Sequence, residues 1–314
     1  MYIDKVYFNN WNQINIKNKN LPVSNFADIS NRISFGSNFD SDITEFSTKI
    51  EQRKKEKNLL DKLVEKFARF IGAYPQKKQY PLNIEYKEAK TLKEAIEFGQ
   101  QTFGIKKYKG FEEKDLDVVN WINEGLVNCS NASKGSLAMP KKVEFKELDN
   151  AGAQISGFDN LYVDKKDINM LKLIAFTQTG NKMTIKKARE WATDLVSHSN
   201  KEFESYMSIF SLIEHEMGHL QHQANLESLF GALVIVSDKT LQNIRIVRSF
   251  INDKYAEEMQ EDFKNSTKIA KKVSSYAAIS PMEFVAECYA KMVDSIKLDD
   301  DVMKLYIKLG GVII

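Results

Sequence analysis

Two imidazoles from one short segment can serve a single metal ion only if the backbone turns them to the same side. In Ile213-Glu214-His215-Glu216-Met217-Gly218-His219-Leu220 a helix does this. At i, i+4 spacing His215 and His219 stand roughly 6 Å apart along the axis, within joint reach of an ion bound at about 2.0–2.1 Å. Glu216 falls beside that ion, where a carboxylate can take a proton from a coordinated water. The chain has only four histidines, so two of them framing a glutamate at this spacing favours the His-Glu-x-x-His zinc motif over a polar helix surface that spells it by chance. The motif makes two demands on the rest of the chain: a helix long enough to carry it, and a third ligand.

The first demand is met by Phe203, Tyr206, Met207, Phe210, Ile213, Met217 and Leu220, which recur at helical spacing from about residue 201. Far upstream, residues 1–45 are rich in Asn, Ser and Asp with scattered aromatics and no period, which predicts an irregular arm docking through its rings. Leu59, Leu60, Leu63, Val64, Phe67 and Phe70 predict an amphipathic helix over 48–71, stopped by Gly72 and Pro75, and 76–81 reads as a linker. Thr91-Leu92-Lys93-Glu94 has the form of a capping box and opens a helix that Gly104 closes; a second helix is predicted from Asp115 through Val127. After Pro140 the period drops from 3.6 to 2, so 143–148 and, less cleanly, Asn160–Asp164 read as strands around a turn at Gly157-Phe158-Asp159. Helices are expected again over 184–199 and 226–272, the latter with an apolar stretch at 229–236. The expected fold is α+β and predominantly helical, a small mixed sheet preceding the motif helix, with a separate N-terminal region at 1–83 and the main domain at 84–314.

Charge and composition exclude some functions. Lys and Arg number 45 against 43 Asp and Glu, a formal charge of +2, which gives no whole-chain electrostatic footprint for nucleic acid. Cys129 and Cys288 cannot build a disulfide framework and read as small buried hydrophobes. The N-terminus lacks the basic-then-apolar order of a secretory signal, and no run of about 18 apolar residues predicts a membrane span. A cytoplasmic or virion-associated protein is the expectation.

The third ligand decides what kind of site this is. An extended motif with glycine three residues and histidine six residues beyond His219 is absent, since His222 and Asn225 stand there. His222 lies about 10 Å along the axis from His215, too far for one tetrahedral shell, and is expected at the surface or behind a ligand. His198 is expected to be structural. A carboxylate must complete the set, and Ser280-Pro281-Met282-Glu283-Phe284-Val285-Ala286-Glu287 offers two, four residues apart on one helix face. Glu283 would bind the ion while Glu287 accepts a hydrogen bond from a ligand imidazole. Ser-x-x-Glu is equally a capping box, in which case Glu283 only bonds its own helix end.

Taken with His215-Glu216-Met217-Gly218-His219, the stretch Tyr276-Ala277-Ala278-Ile279-Ser280-Pro281-Met282-Glu283-Phe284-Val285-Ala286-Glu287 resembles the catalytic core of the anthrax lethal factor type of zincin, a group that includes the secreted Pro-Pro endopeptidases. There a Ser-Tyr pair stands seven residues before the glutamate of a Glu-Phe-x-Ala-Glu helix, as Ser275-Tyr276 stands before Glu283 here. The resemblance implies one Zn²⁺ held by His215, His219 and Glu283, Glu216 as general base, and the Tyr276 hydroxyl as stabiliser of the transition state. Helix, helix and strand upstream are similar to zincin domains of phage and mobile-element proteins, including minor head proteins. In the zincin fold an edge strand beside the metal pairs with an extended substrate, which makes Leu161, Tyr162 and Val163 candidate substrate contacts; the alternative is an ordinary sheet strand. Residues 220–282 form a longer connection than compact members have. The expected function is a zinc-dependent endopeptidase acting on a protein or peptide. The rival is a structural phage or mobile-element component with a zinc-binding zincin fold, making particle or other protein contacts through residues 1–83.

Overall fold

The computed structural model describes residues 77–148, 151–156, 160–197, 211–230 and 261–314. The predicted arm at 1–45, the helix at 48–71, the start of the motif helix at 201–210, His198, the turn at 157–159 and most of 226–260 lie outside the described residues.

Strand β1 (Lys78–Gln79) pairs antiparallel with β3 (Ser136–Leu137), and the Tyr80 ring packs edge-on against Phe103 at 6.0 Å. The expected linker at 76–81 is therefore docked at 78–80, and the folded unit begins before residue 84. Helix α1 (Leu92–Phe103) starts where expected, with Thr91 Oγ1 accepting the Glu94 N–H, and ends on Gly104 at φ 68°. Strand β2 (Lys107–Lys109) and a 3₁₀ turn (Glu113–Asp115) lead into α2 (Leu116–Ala132), which is buried over much of its circumference. Two buried asparagines on α2 tie it to the chain around α1: Asn120 Nδ2 donates to the Ala89 carbonyl, and Asn123 Nδ2 to that of Ala95.

A four-stranded sheet has the order β2, β4 (Lys142–Lys146), β6 (Asn160–Asp164), β5 (Ala153–Ser156), the first three parallel and β5 antiparallel to β6. Its apolar face, with Val143, Phe145, Leu161, Val163 and Ala153, packs with Val118, Trp121, Ile213, Met217 and Leu220 in one core. Asp164 ends β6 and also caps α3 (Lys165–Thr179), accepting the Asp167 N–H, so strand passes to helix without a loop. Helix α4 (Ile185–Ser197) follows, then α5 (Leu212–Phe230), which carries the motif.

The chain is helical again over 261–273 (α6), then forms α7 (Pro281–Val293) and α8 (Asp300–Lys308). These three share a second apolar cluster built on Val273, Phe284, Cys288, Met303 and Tyr306. The two clusters meet where α5 lies against α7. There Gly218 permits the approach, since a Cβ on it would stand 2.8 Å from the Ala286 Cα. The fold is α+β and mostly helical with a small mixed sheet, and no described helix is long and apolar enough to cross a membrane.

Candidate metal centre

Helix α5 turns His215 and His219 toward α7, their rings 4.7 Å apart and nearly perpendicular. Ser280 caps α7 by accepting the Glu283 N–H at 3.2 Å, and Pro281 occupies the first turn, where its missing N–H costs nothing. The Glu283 side chain is thereby set toward α5, with Oε2 3.1 Å from His215 Nε2 and 3.3 Å from His219 Nε2. Two donors bound tetrahedrally to one ion at about 2.0–2.1 Å lie about 3.3 Å from each other, so both separations suit a shared zinc ion. The alternatives left open for Glu283 are thus met by different parts of the residue: its backbone caps the helix and its carboxylate lies between the imidazoles.

Glu287, one turn on, accepts from His215 Nδ1 at 2.7 Å through Oε1. That bond makes Nε2 the nitrogen that would bind a metal once it gives up its proton. Its other oxygen, Oε2, accepts from the Ser274 hydroxyl at 3.0 Å, so a carboxylate that is almost wholly buried has a partner on each oxygen. Burial favours a neutral His215, but hydrogen bonds to Glu283 and Glu287 outweigh it and lift its pKa to about 10. Burial likewise raises Glu283, yet its contacts with the two imidazoles hold it well below the usual carboxylate range. A cation fits the charge that these carboxylates supply, and its entry would displace the His215 proton.

His215, Glu216 and His219 each bring one ligand atom within 4.8 Å of the other two. Glu216 is not spare, however: its Oε2 accepts the backbone N–H of Ile155 at 2.7 Å. That contact ties the carboxylate to β5, whereas Glu283 Oε2 lies between the two Nε2 atoms. The Tyr276 ring lies 5.7 Å from that of His215, on the turn that joins α6 to α7.

The expected substrate contacts need correction. Leu161 and Val163 are buried in the core, and Tyr162 lies beneath Lys146 on the opposite face, with Nζ 3.8 Å from its ring centre. Strand β6 is bonded to β4 on one side and β5 on the other, so it has no edge to offer a peptide. Among the described strands the edge beside the motif helix is β5, which sequence reasoning passed over; the apolar–polar alternation of Ala153-Gln154-Ile155-Ser156 is a four-residue signal that could have found it. Ser274 was passed over too, because nothing in its spacing marks it. His222 is not at the surface: it is buried, and its Nε2 donates to the Leu309 carbonyl at 2.7 Å. Cys129 and Cys288 are buried free thiols, as expected.

Compared with family models, curated proteins and solved structures, the chain matches none.

Proposed function

We propose that this chain is a zinc-dependent endopeptidase of the zincin fold, similar to the lethal factor group. The observation that carries the reading is the convergence of Glu283 Oε2 on both Nε2 atoms while Glu287 holds Nδ1 of His215. A purely structural zinc site would have no use for Glu216 or Tyr276 beside it.

His215, His219 and Glu283 would hold the ion. Zinc, when bound, supplies a Lewis acid that acidifies water and polarises the scissile carbonyl. Glu216 accepts the proton of the attacking water and passes it to the leaving amine. The Ile155 N–H fixes that carboxylate at the strand edge, so proton transfer takes place beside the substrate backbone. Tyr276 donates its hydroxyl hydrogen bond to the developing oxyanion. An extended peptide pairs with the outer edge of β5. Gly152 O already accepts from Asp164 N on the inner side, so alternation turns the backbone groups of Ala153 and the carbonyl of Ile155 outward to the peptide, the Ile155 N–H being held by Glu216.

The test is metal analysis of purified protein followed by incubation with a peptide library, with and without a chelator. One equivalent of zinc and cleavage that the chelator abolishes and zinc restores is the expected result. One equivalent of zinc without chelator-sensitive cleavage of any peptide or folded substrate would favour the structural particle component instead, and no zinc at all would overturn both.

A further inference from the structure

The link between α6 and α7 is fixed by one side chain. Ser274, 3% exposed at the end of α6, donates through Oγ to Glu287 Oε2 at 3.0 Å and accepts through the same oxygen the N–H of Ala277 at 2.8 Å. Glu287 in turn holds His215 Nδ1. A continuous run of hydrogen bonds therefore passes from the His215 imidazole through Glu287 and Ser274 to the backbone of Ala277. Tyr276 sits inside the turn that the last bond closes, its ring 5.7 Å from that of His215.

We infer that Ser274 is a positioning residue that couples the two halves of the site: its one hydroxyl orients the carboxylate behind the ligand imidazole and sets the turn that presents Tyr276. This rests on the zinc-peptidase reading. A hydroxyl suits the role because it can donate to one partner and accept from another at once. Alanine at 274 removes both bonds in a single step. Glu287 then has one oxygen without its partner, and a freer carboxylate orients His215 less well. At the same time the Ala277 N–H loses its acceptor and the tyrosine-bearing turn loosens. The first effect belongs to the affinity for the ion, and the second to the transition state alone.

Two readouts separate this from a general loss of fold. Zinc affinity is measured by competition with a chromophoric chelator, and kcat and KM on a cleaved peptide at saturating zinc. Ser274→Ala is expected to weaken zinc about tenfold to a hundredfold, the usual effect of losing such a supporting group. At saturating zinc it should lower kcat at least about tenfold with KM little changed. Ser274→Thr, which keeps the hydroxyl, should recover both. Val273→Ala, one residue away in the apolar cluster, should lower thermal stability and leave zinc affinity and kcat in place. Glu287→Gln, at the other end of the bond, should reproduce the loss of zinc affinity with kcat at saturating zinc little changed, since the Ser274–Ala277 bond stands, and it serves for the zinc readout if Ser274→Ala does not fold. Wild-type zinc affinity and kcat in a folded Ser274→Ala chain, or equal losses in Val273→Ala, would overturn the inference and leave the peptidase reading standing. A wild-type chain that binds no zinc would overturn both.

Discussion

Glu216 is held at both ends of its function: its helix sets it beside His215 and His219, and its carboxylate accepts the Ile155 N–H. Replacing it with glutamine keeps the side chain's size but removes the proposed base. Glu216→Gln is expected to bind one equivalent of zinc as tightly as wild type and to cleave about 10²- to 10⁴-fold more slowly, the range general-base catalysis supplies. Undiminished cleavage would remove Glu216 from the mechanism. His219→Ala removes a donor that faces Glu283 and should lose zinc and turnover together, read by metal analysis beside the same cleavage assay. At this scale the grouping of His215, Glu216 and His219 was legible because i, i+4 spacing is a property of the helix itself. Glu283 was only half legible. Ser-x-x-Glu spells a cap and a ligand alike, and which way a carboxylate points depends on what another helix brings to it. Ser274 was not legible at all, since its two partners lie three and thirteen residues away with no period to mark them.

At the scale of elements, the site is a crossing. Two of the proposed donors come from α5 and one from α7, so the separation of those helices sets whether the three can share an ion. A Cβ at Gly218 would meet the Ala286 Cα at 2.8 Å and its carbonyl oxygen at 3.0 Å, both backbone atoms that cannot rotate away. Gly218→Ala must push the helices apart. Overpacking of this sort costs typically about 1–3 kcal/mol. Zinc affinity should fall with stability, whereas Gly104→Ala, where a Cβ meets nothing and only the positive φ is strained, should lose stability alone. Equal zinc affinity in the two variants, measured by competition, would show that the crossing does not set the site. On β5, Ile155→Pro deletes the N–H that Glu216 accepts at a strand edge, where proline is tolerated. A lower kcat with unchanged zinc stoichiometry is expected. Helix starts with a side-chain cap, at Thr91 and Ser280, were legible because the cap is local. Helix α3 was not: Met170, Leu173 and Phe176 are exposed and only Ile168 and Ala175 are buried, so its apolar residues do not trace a single face.

At the scale of the molecule, strand order is where the sequence is silent. Alternation marks 161–164 as a strand, but only the pairing of β5 on its outer side makes β6 interior, and the two segments are joined through residues 157–159, which lie outside the described ones. The same holds for the C-terminal segment, which locks onto the far end of the motif helix. His222 Nε2 donates to the Leu309 carbonyl, Asn225 Nδ2 donates to the Gly310 carbonyl at 2.8 Å, and the Tyr306 hydroxyl bonds the backbone of Val312. With its proton on Nε2, the His222 ring has Nδ1 buried and without a hydrogen-bond partner among the described residues. Protonation would place an N–H there with no acceptor among the described residues. Burial accordingly pulls the His222 pKa down from 6.5 to about 4, the bond to Leu309 opposing the fall. The unfolded chain therefore binds this proton first as pH drops. Stability is unaffected by His222 above about 6.5, declines between about 6.5 and 4, and is level again below. A shift of this size corresponds to about 3 kcal/mol over the whole window. His222→Gln can still donate to Leu309 but cannot titrate. In urea unfolding of the metal-free chain at closely spaced pH values, the difference in stability between wild type and His222→Gln should be constant above pH 6.5 and move in favour of the variant toward pH 4. A difference that does not vary with pH would mean that His222 keeps its ordinary pKa, with the C-terminal lock open enough to hydrate the ring.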